Sequence, residues 1–548
     1  MKKPNIILIL ADDMGYSDIG CYGGEIDTPN LDRLASQGLR YTQFYNTARC
    51  CPTRASLLTG MNPHQVGMGH MAHFDDDIDG YRGDLSKQCV TIAEVLKQGN
   101  YGTYLSGKWH VCKQQLAKDG DRSNWPRARG FDRSYGIIGG AASYFDPPTL
   151  ARDNESIDPP QDGDYYFTDD ITKNACGLIE DHCNQKSEQP FFLFASYTAP
   201  HWPLHARPEE IKKYKGRYSS GWDRLREQRL KRMIGLGIVR PDMELTQRDS
   251  TQPAWENSLH KTWQERRMEV YAAQVSSMDQ GIGRILDTVE AKGELDNTLI
   301  FFLSDNGACA EEIFETFYPY EKPAGEGRAK PLTCRTHTRD GRLMKHGNDP
   351  TVPPGDETTF QSYGVAWANL SNAPFREYKH FVHEGGIATP LIVHWPDGIS
   401  ERGNLRHQTG QLMDIMATIV DVSGLDWPQE RDGLPILPVE GSSLKNTFNS
   451  HDQNRPPLAW EHEGNCAYRE GKWKLVKRWD RGHWELYDMD VDRCEINDLT
   501  NTYPETRAEL VEKYHDWANR VGVVEWNQLE ATRNAKGIFT DWMPHPHD

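Results

Sequence analysis

Residues 49–60, RCCPTRASLLTG, place a thiol, a proline, a hydroxyl and a guanidinium in fixed order at the start of a predicted helix. Pro52 suits a first helical position, and the final glycine suits a helix end. We therefore expect Cys50 just outside the helix N-terminus, where free N–H groups and the helix dipole favour an anion. Arg54 adds a planar cation suited to sulfate or phosphate oxygens. The pattern predicts an anion site with a sulfur nucleophile; the alternative is a buried or disulfide-bonded pair of Cys50 with Cys51.

Two polar pairs follow apolar runs at distant points of the chain. Asp12 and Asp13 come directly after the first apolar run. Asp305 and Asn306 follow another apolar run late in the chain. Two adjacent carboxylates would repel by about 4 kcal/mol at about 4 Å, so the pairs invite a shared cation. All-oxygen ligands suit Ca²⁺ or Mg²⁺ and disfavour zinc, although an Asp after a strand often only caps a helix or forms an Asx turn.

Cationic and titratable side chains also follow or precede predicted strands. Lys108 and His110 lie in the segment GKWH, and His201 lies in PHWP. Lys379 lies in FREYKHFVHEGG. A lysine can offset the charge of an oxyanion, and an imidazole can move a proton near neutral pH. Each residue taken alone is as compatible with a surface or capping role.

The elements that must position these residues alternate between strand and helix patterns. Residues 5–10 are continuously apolar, which is typical of a strand buried on both faces of a largely parallel sheet. Further strands of this type are predicted at residues 101–105, 191–195, 298–303 and 391–394. Helices are predicted at residues 29–37 and 267–291. The chain is therefore expected to be α/β, with helices on both faces and ligands at the carboxyl ends of the strands.

Long stretches without such patterns separate these elements. They comprise residues 111–163, 206–263 and 311–359, and we expect them to form the walls of a substrate cleft. A polar, proline-containing segment at residues 435–454 suggests a boundary between a catalytic domain, 1–445, and a C-terminal α+β domain, 446–548. Within the second domain, strands are predicted at 473–477 and 484–487, followed by a helix at 504–521.

Bulk properties limit the possible partners and compartments. The chain has 548 residues and a formal net charge of −18, which disfavours nucleic acid and anionic membranes as partners. Its first apolar run is too short for a signal peptide, and no stretch reaches membrane-spanning length. We therefore expect a cytoplasmic protein, or a periplasmic or extracellular one if an export signal has been removed. The eleven cysteines form no disulfide framework.

Taken together, the motifs resemble the type I sulfatases of the alkaline-phosphatase-like superfamily, and bacterial arylsulfatases most. The segment at 49–60 is similar to the family pattern Cys-x-Pro-Ser/Thr-Arg-x-x-Leu-Leu-Thr-Gly. Five further features of this sequence also recur in the family: ADDMG, GKWH, APHWP, a late lysine before HEGG, and SDNG. Thr53 stands where serine is commoner, and the variable position is the cysteine Cys51. The resemblance extends from Asn5 to about Trp395.

The resemblance implies a fold, a cofactor and a set of roles. The fold would be a large, mostly parallel mixed sheet sandwiched by helices, with a small C-terminal antiparallel sheet and a helix. Cys50 would be oxidised to formylglycine, whose hydrate attacks sulfur, and Cys51 would be a bystander. One Ca²⁺ would be held by Asp12, Asp13, Asp305, Asn306 and the residue at position 50. The other roles would be sulfate binding by Arg54 and Lys108, leaving-group stabilisation by His201 and Lys379, and deprotonation of the second hydroxyl by His110.

The implied activity is hydrolysis of aryl or sugar sulfate monoesters to an alcohol or phenol and inorganic sulfate. The implied partners are a small-molecule or saccharide sulfate ester and a maturation enzyme, either formylglycine-generating or radical-based. Three alternatives remain. They are a phosphonate monoester or phosphodiester hydrolase on the same fold, a non-catalytic anion-binding protein, and a redox protein that uses Cys50 and Cys51.

Overall fold

The computed structural model describes residues 2–113, 120–160, 163–186, 188–314, 335–451 and 455–535. Its strands are β1 (Asn5–Asp12), β2 (Leu39–Tyr45), β3 (Gly102–Gly107), β4 (Arg133–Ile137), β5 (Leu150–Arg152), β6 (Glu155–Ser156), β7 (Phe191–Pro200), β8 (Thr298–Ser304), β9 (Lys345–His346), β10 (Thr359–Phe360), β11 (Ala388–His394), β12 (Leu405–Gln411), β13 (Glu430–Arg431), β14 (Leu434–Pro435), β15 (Leu458–His462), β16 (Asn465–Glu470), β17 (Trp473–Lys477) and β18 (Trp484–Asp488). Its α-helices are α1 (Pro29–Gln37), α2 (Cys50–Thr59), α3 (Ile92–Gln98), α4 (Phe167–Gln185), α5 (Pro208–Lys213), α6 (Gly221–Gly235), α7 (Lys261–Ala291), α8 (Gly364–Ser371), α9 (Glu384–Ile387), α10 (Met413–Ser423), α11 (Pro504–Val521) and α12 (Trp526–Ala535).

A ten-stranded sheet with the order β12-β2-β11-β8-β1-β7-β3-β4-β5-β6 forms the centre of the fold. Its four middle strands, β8, β1, β7 and β3, are parallel neighbours. Alternate residues of β1 point to opposite faces, so Ile7 and Ile9 join one hydrophobic cluster and Leu8 joins another. Helices α1, α4 and α7 contribute to the first cluster, and α2, α3 and α10 to the second. The predicted α/β sandwich is confirmed.

One predicted strand runs in the opposite direction to the others. The strand expected at residues 391–394 is β11, which begins at Ala388 and pairs antiparallel with both β2 and β8. A short apolar run has the same appearance in either direction, so its pattern could not reveal this orientation. The prediction of a mostly parallel, mixed sheet is nevertheless correct.

One predicted helix begins earlier than expected, and one helix was not predicted. α2 begins at Cys50 rather than Pro52, so the first cysteine is inside the first turn. Gly60 ends this helix in a left-handed conformation, with φ of 70°, as expected of a C-terminal glycine. The predicted cleft wall at 206–263 contains the fifteen-residue helix α6, whose Arg229 pairs with Asp18 and Glu25. Arg226 and Arg229 are buried between the apolar residues Trp222, Leu225 and Met233, so the apolar periodicity that would have revealed this helix is interrupted.

The C-terminal part contains the antiparallel sheet β15-β16-β17-β18, covered by α11. Leu510 and Tyr514 of this helix pack with Leu475 and Leu486 of the sheet. The predicted strands and helix are confirmed here, while the boundary between residues 445 and 446 stays a prediction. Within the described residues, no helix is both long and apolar enough to cross a bilayer.

Candidate active site

The polar residues that follow the middle strands meet at one edge of the sheet. Asp12 ends β1, Asp305 and Asn306 follow β8, Lys108 follows β3, and His201 follows β7. Because these four strands are adjacent and parallel, their carboxyl ends lie side by side. All five side chains are buried.

The three aspartates and Asn306 form one connected cluster. The backbone N–H of Asp13 donates to Asp305 Oδ1 at 3.1 Å, and Asn306 Nδ2 donates to Asp13 Oδ1 at 2.7 Å. Arg54 Nη2 lies 2.9 Å from Asp305 Oδ2 and 3.6 Å from Asp12 Oδ1. Asp13 has a left-handed backbone with φ of 66°, a conformation that costs energy for a residue other than glycine. The structure thus brings together the four side chains predicted to bind a metal.

Each carboxylate of this cluster has a cationic partner. Lys108 Nζ donates to both oxygens of Asp12, at 3.0 and 2.8 Å, and Lys379 Nζ donates to Asp13 Oδ2 at 2.9 Å. The guanidinium of Arg54 pairs with the carboxylate of Asp305. Three cationic side chains therefore face three carboxyl groups, and a bound divalent cation would add the positive charge that an anionic ester requires.

Two observations show that these residues fit a hard divalent cation. Burial, together with the nearby carboxylate of Asp12, raises the pKa of Asp305 to about 8, so the cationic partners alone do not stabilise its ionised form. The Oδ1 atom of Asn306 is buried and has no hydrogen-bond partner among the described residues. Carboxylate and amide oxygens are the ligands that Ca²⁺ prefers. Asp12, Asp13, Asp305 and Asn306 supply oxygen atoms, and Cys50 is the one predicted ligand that carries sulfur.

The two cysteines at the start of α2 have different surroundings. A hydrogen bond from Cys51 lowers the pKa of Cys50 well below its usual value, and the nearby Lys108 and His110 lower it further against the effect of burial. Burial instead raises the pKa of Cys51, whose Sγ accepts from the Ala72 N–H at 3.4 Å. No disulfide joins any of the described cysteines. Cys50 therefore faces the charged site, and Cys51 faces the core.

Arg54 uses its donors on the protein itself. Nε and Nη2 donate to Asp305 Oδ2, while Nη1 donates to the Lys108 carbonyl at 3.1 Å and to Ser196 Oγ at 2.6 Å. The sequence suggested that this guanidinium holds sulfate oxygens. In the structure it orients Asp305, and Ser196 is a further member of the site that no sequence motif indicated.

The two imidazoles interact with different residues: His110 with Cys50, and His201 with Asp13 and Lys379. Burial lowers the pKa of both His110 and His201 to about 4, so both rings are neutral at pH 7. The ring of His110 lies against Gly140, where a Cβ would be 2.3 Å from the ring, so this position requires glycine. His201 Nδ1 lies 2.7 Å from the Trp202 carbonyl and therefore carries the proton, while Nε2 lies 3.4 Å from Lys379 Nζ, from which it can accept, and 3.3 Å from Asp13 Oδ2.

The two tryptophans of these motifs have different roles. Trp109 is fully buried in the hydrophobic core and donates through Nε1 to the Asn124 carbonyl at 2.8 Å, so its role is structural. Trp202 remains slightly exposed and donates to Glu311 Oε2 at 2.7 Å. Glu311 lies 3.7 Å from Lys379 Nζ, which places a carboxylate beside the proposed leaving-group side. The sequence indicated a role for Glu311 only through its position in the predicted cleft wall at 311–359. Residues 315–334 of that wall lie outside the described residues.

Comparisons with known proteins agree with this geometry. Residues 4–425 match the Sulfatase family, and residues 376–520 match the family described as N-sulphoglucosamine sulphohydrolase, C-terminal. The chain belongs to the sulfatase family. It is therefore a sulfuric ester hydrolase, and the redox and purely anion-binding alternatives are not supported.

Individual relatives show the same family and fold. The sulfatase is 34% identical over 459 residues to an arylsulfatase of Klebsiella aerogenes, which covers 81% of this chain and 91% of the relative. It is 31% identical over 554 residues to an uncharacterized sulfatase of Schizosaccharomyces pombe, with 95% of each chain covered. The crystal structure of Ps i-CgsB in complex with k-i-k-neocarrahexaose superposes with a TM-score of 0.66 at 21% identity, covering 98% of this chain and 99% of that one. The sulfatase thus has the alkaline-phosphatase-like fold.

Proposed function

We propose that this sulfatase hydrolyses sulfate monoesters with an oxygen nucleophile made from Cys50, beside a calcium ion held by Asp12, Asp13, Asp305 and Asn306. The observation that carries the proposal is the junction of the α2 N-terminus with an all-oxygen cluster that contains the unpaired Oδ1 of Asn306. When present, formylglycine supplies a hydroxyl nucleophile and calcium offsets charge on sulfate. Conversion of Cys50 requires a formylglycine-generating or radical maturation enzyme.

The residues of the chain divide the remaining tasks. Lys108 holds Asp12, and Arg54 holds Asp305, so both cations keep the acidic cluster in place. His110 lies beside position 50 as a neutral ring and can accept a proton from the nucleophile. On the opposite side, Lys379 is the ammonium group that can protonate the departing oxygen.

His201 supports this proton donor. Its Nε2 accepts from Lys379 Nζ, and its Nδ1–H is held by the Trp202 carbonyl, so the ring keeps the ammonium directed into the pocket. This arrangement makes Lys379 the acid and His201 its orienting partner, a division of roles that the sequence left open.

We infer that the organic part of the substrate lies near Glu311 and Arg49, two polar groups beside Lys379, which favours a saccharide over a simple aryl group. The side chain of Glu311 is 12% exposed, and its Oε1 lies 3.2 Å from Arg49 Nη2. Carboxylate and guanidinium groups are suitable partners for sugar hydroxyls. Sugar sulfates are therefore the proposed physiological class, and aryl sulfates are the second candidate because of the identity to an arylsulfatase.

The test is a comparison of kcat/KM on three substrates: 4-nitrophenyl sulfate, a hexosamine 6-sulfate and bis(4-nitrophenyl) phosphate. We expect sulfate release to exceed phosphodiester hydrolysis, and the sugar sulfate to be preferred when leaving-group reactivity is taken into account. Dominant phosphodiester hydrolysis would overturn the proposal in favour of the phosphodiesterase alternative. A matched preparation of Cys50→Ala shows the background.

A further inference from the structure

A cluster of three imidazoles surrounds one carboxylate beside the active site. Glu463 lies in the turn between β15 and β16 and is contacted by His70, His380 and His462; we call these four residues the Glu463 cluster. His380 Nε2 lies 2.8 Å from Glu463 Oε2, and His462 Nε2 lies 3.5 Å from Oε1. His380 and Glu463 both have left-handed backbones, with φ of 92° and 49°. The conformation of Glu463 is that of a two-residue hairpin turn formed with Gly464, whose φ is 75°, so the turn fixes the position of this carboxylate.

The donor set resembles a zinc site, because ligand atoms of His380, His462 and Glu463 lie within 4.8 Å of one another. A neighbouring contact argues against coordination, however. Arg49 Nη1 lies 3.0 Å from His380 Nδ1, and a guanidinium can only donate a hydrogen bond. Nδ1 is therefore the acceptor, and the proton of the neutral ring is on Nε2, directed toward Glu463. A protonated Nε2 cannot bind a metal, so His380 links Arg49, which is hydrogen-bonded to Nδ1, to the carboxylate of Glu463, which lies at ion-pair distance from Nε2.

This connection continues into the active site. Arg49 is the N-cap residue of α2 and directly precedes Cys50. Its Nη2 lies 3.2 Å from Glu311 Oε1, and Glu311 Oε2 lies 3.7 Å from Lys379 Nζ. The backbone N–H of His380 also donates to the Ala48 carbonyl at 2.7 Å, next to the same N-cap. A chain of contacts thus leads from Glu463 to the proton donor on the leaving-group side.

We propose that Glu463, which belongs to the C-terminal sheet, is a positioning residue for sulfate ester hydrolysis. Its negative charge, 2.8 Å from His380 Nε2, favours the tautomer with the proton on Nε2, which keeps Nδ1 available to Arg49; Arg49 in turn forms an ion pair with Glu311 beside Lys379. Without this carboxylate, His380 can adopt the tautomer with the proton on Nδ1, which would place two donors against each other. Arg49 would then lose an acceptor, and Glu311 and Lys379 would lose their alignment. This inference rests on the proposed role of Lys379 as the acid.

The test uses Glu463→Ala and the isosteric Glu463→Gln, with Glu461→Gln as the matched control. Glu461 lies in the same sheet, but its carboxylate pairs with His64 at 2.8 Å and accepts from the Gly464 N–H at 2.7 Å. We expect kcat for a sugar sulfate to fall about tenfold or more in the Glu463 variants, because its poor leaving group needs protonation. The kcat for 4-nitrophenyl sulfate, which has a good leaving group, should change much less. The control should retain wild-type values with both substrates.

Each other outcome has a defined meaning. Equal losses on both substrates, or wild-type kcat in both variants, would overturn the inference even though the wild-type enzyme releases sulfate. A wild-type enzyme that releases no sulfate would instead overturn the proposed function. If Glu463→Ala fails to fold, Glu463→Gln decides. Both ring nitrogens of His462 lack a hydrogen-bond partner among the described residues, so zinc is measured as well; one equivalent of zinc, lost in His462→Ala, would replace the positioning role by a metal site.

Discussion

Glu384 joins the catalytic part of the sulfatase to its C-terminal sheet, and its removal should strongly destabilise the protein. Its fully buried carboxylate accepts from Lys474 Nζ at 3.0 Å, from Arg493 Nε at 2.8 Å and from the Tyr45 hydroxyl at 3.1 Å. Lys474 lies on β17 of the small sheet and Glu384 begins helix α9, so this contact joins the small sheet to the catalytic part. The substitution Glu384→Gln replaces the anionic partner that Lys474 and Arg493 share by a neutral amide.

The loss of folding stability in Glu384→Gln can be calculated in two ways. Burial alone would raise the pKa of Glu384, but Lys474 and Arg493 outweigh it and lower the pKa from 4.5 to about 2. This difference corresponds to about 3 kcal/mol of stability at pH 7. Breaking a buried ion pair by removing one partner typically costs about 3–5 kcal/mol. Because Lys474 also pairs with Glu495 at 2.8 Å, we expect a loss near the lower value, about 3 kcal/mol.

The sign of the pH dependence follows from the lowered pKa. The contribution of Glu384 is present above pH 4.5 and is lost as the pH falls toward 2, so wild type and Glu384→Gln should converge in acid. Urea unfolding followed by circular dichroism at pH 7 and in acid measures both effects. The control is Lys513→Ala, which removes exposed pairs with Glu470 and Glu509 and should change stability by less than about 1 kcal/mol. A Glu384→Gln variant as stable as this control at pH 7 would refute the reasoning.

The remaining predictions concern the catalytic cluster. Cys50→Ala should abolish sulfate release while Cys51→Ala retains most of it, and peptide mass should show the thiol-to-aldehyde conversion at position 50 only; the reverse pattern would mean that the nucleophile is misassigned. Asp305→Ala should lose bound calcium and activity together, as measured by metal analysis and turnover, and full activity would contradict the metal site. Asn306→Ala should weaken calcium binding because it removes the unpaired Oδ1, whereas unchanged calcium affinity would show that this oxygen is not a ligand. Chelation should inactivate the wild-type enzyme and added Ca²⁺ should restore it; resistance to chelation would argue against a functional ion.

Local patterns were sufficient where one segment determined both an element and a polar residue at its end. The apolar run before Asp12 predicted a strand, and the structure places the carboxylate at the carboxyl end of that strand, as it does for Asp305. The motif at 49–60 likewise predicted a helix with Cys50 near its N-terminus, within two residues of the observed start. In these cases the functional residue and the strand or helix that positions it are adjacent in the chain.

Patterns failed where burial is achieved by ion pairs. Helix α6 was missed because Arg229 is buried against Asp18 and Glu25 instead of an apolar surface. The pattern also could not show that Arg54 contacts Asp305, Lys108 and Ser196, and its predicted role toward sulfate stays a prediction. A guanidinium has the same sequence signal whether its partner is a ligand or a protein group, so only the folded structure could separate these roles.

The sequence by itself determined the chemical groups of this sulfatase, the strands that carry them and the family to which it belongs, because each of these depends on residues close together in the chain. Tertiary structure alone decided how those groups are held. Arg49, Glu311 and Glu463 are far apart in sequence, and their alignment depends on how the C-terminal sheet docks beside α2. Contacts between such distant residues arise from packing of the whole chain, which no local pattern records.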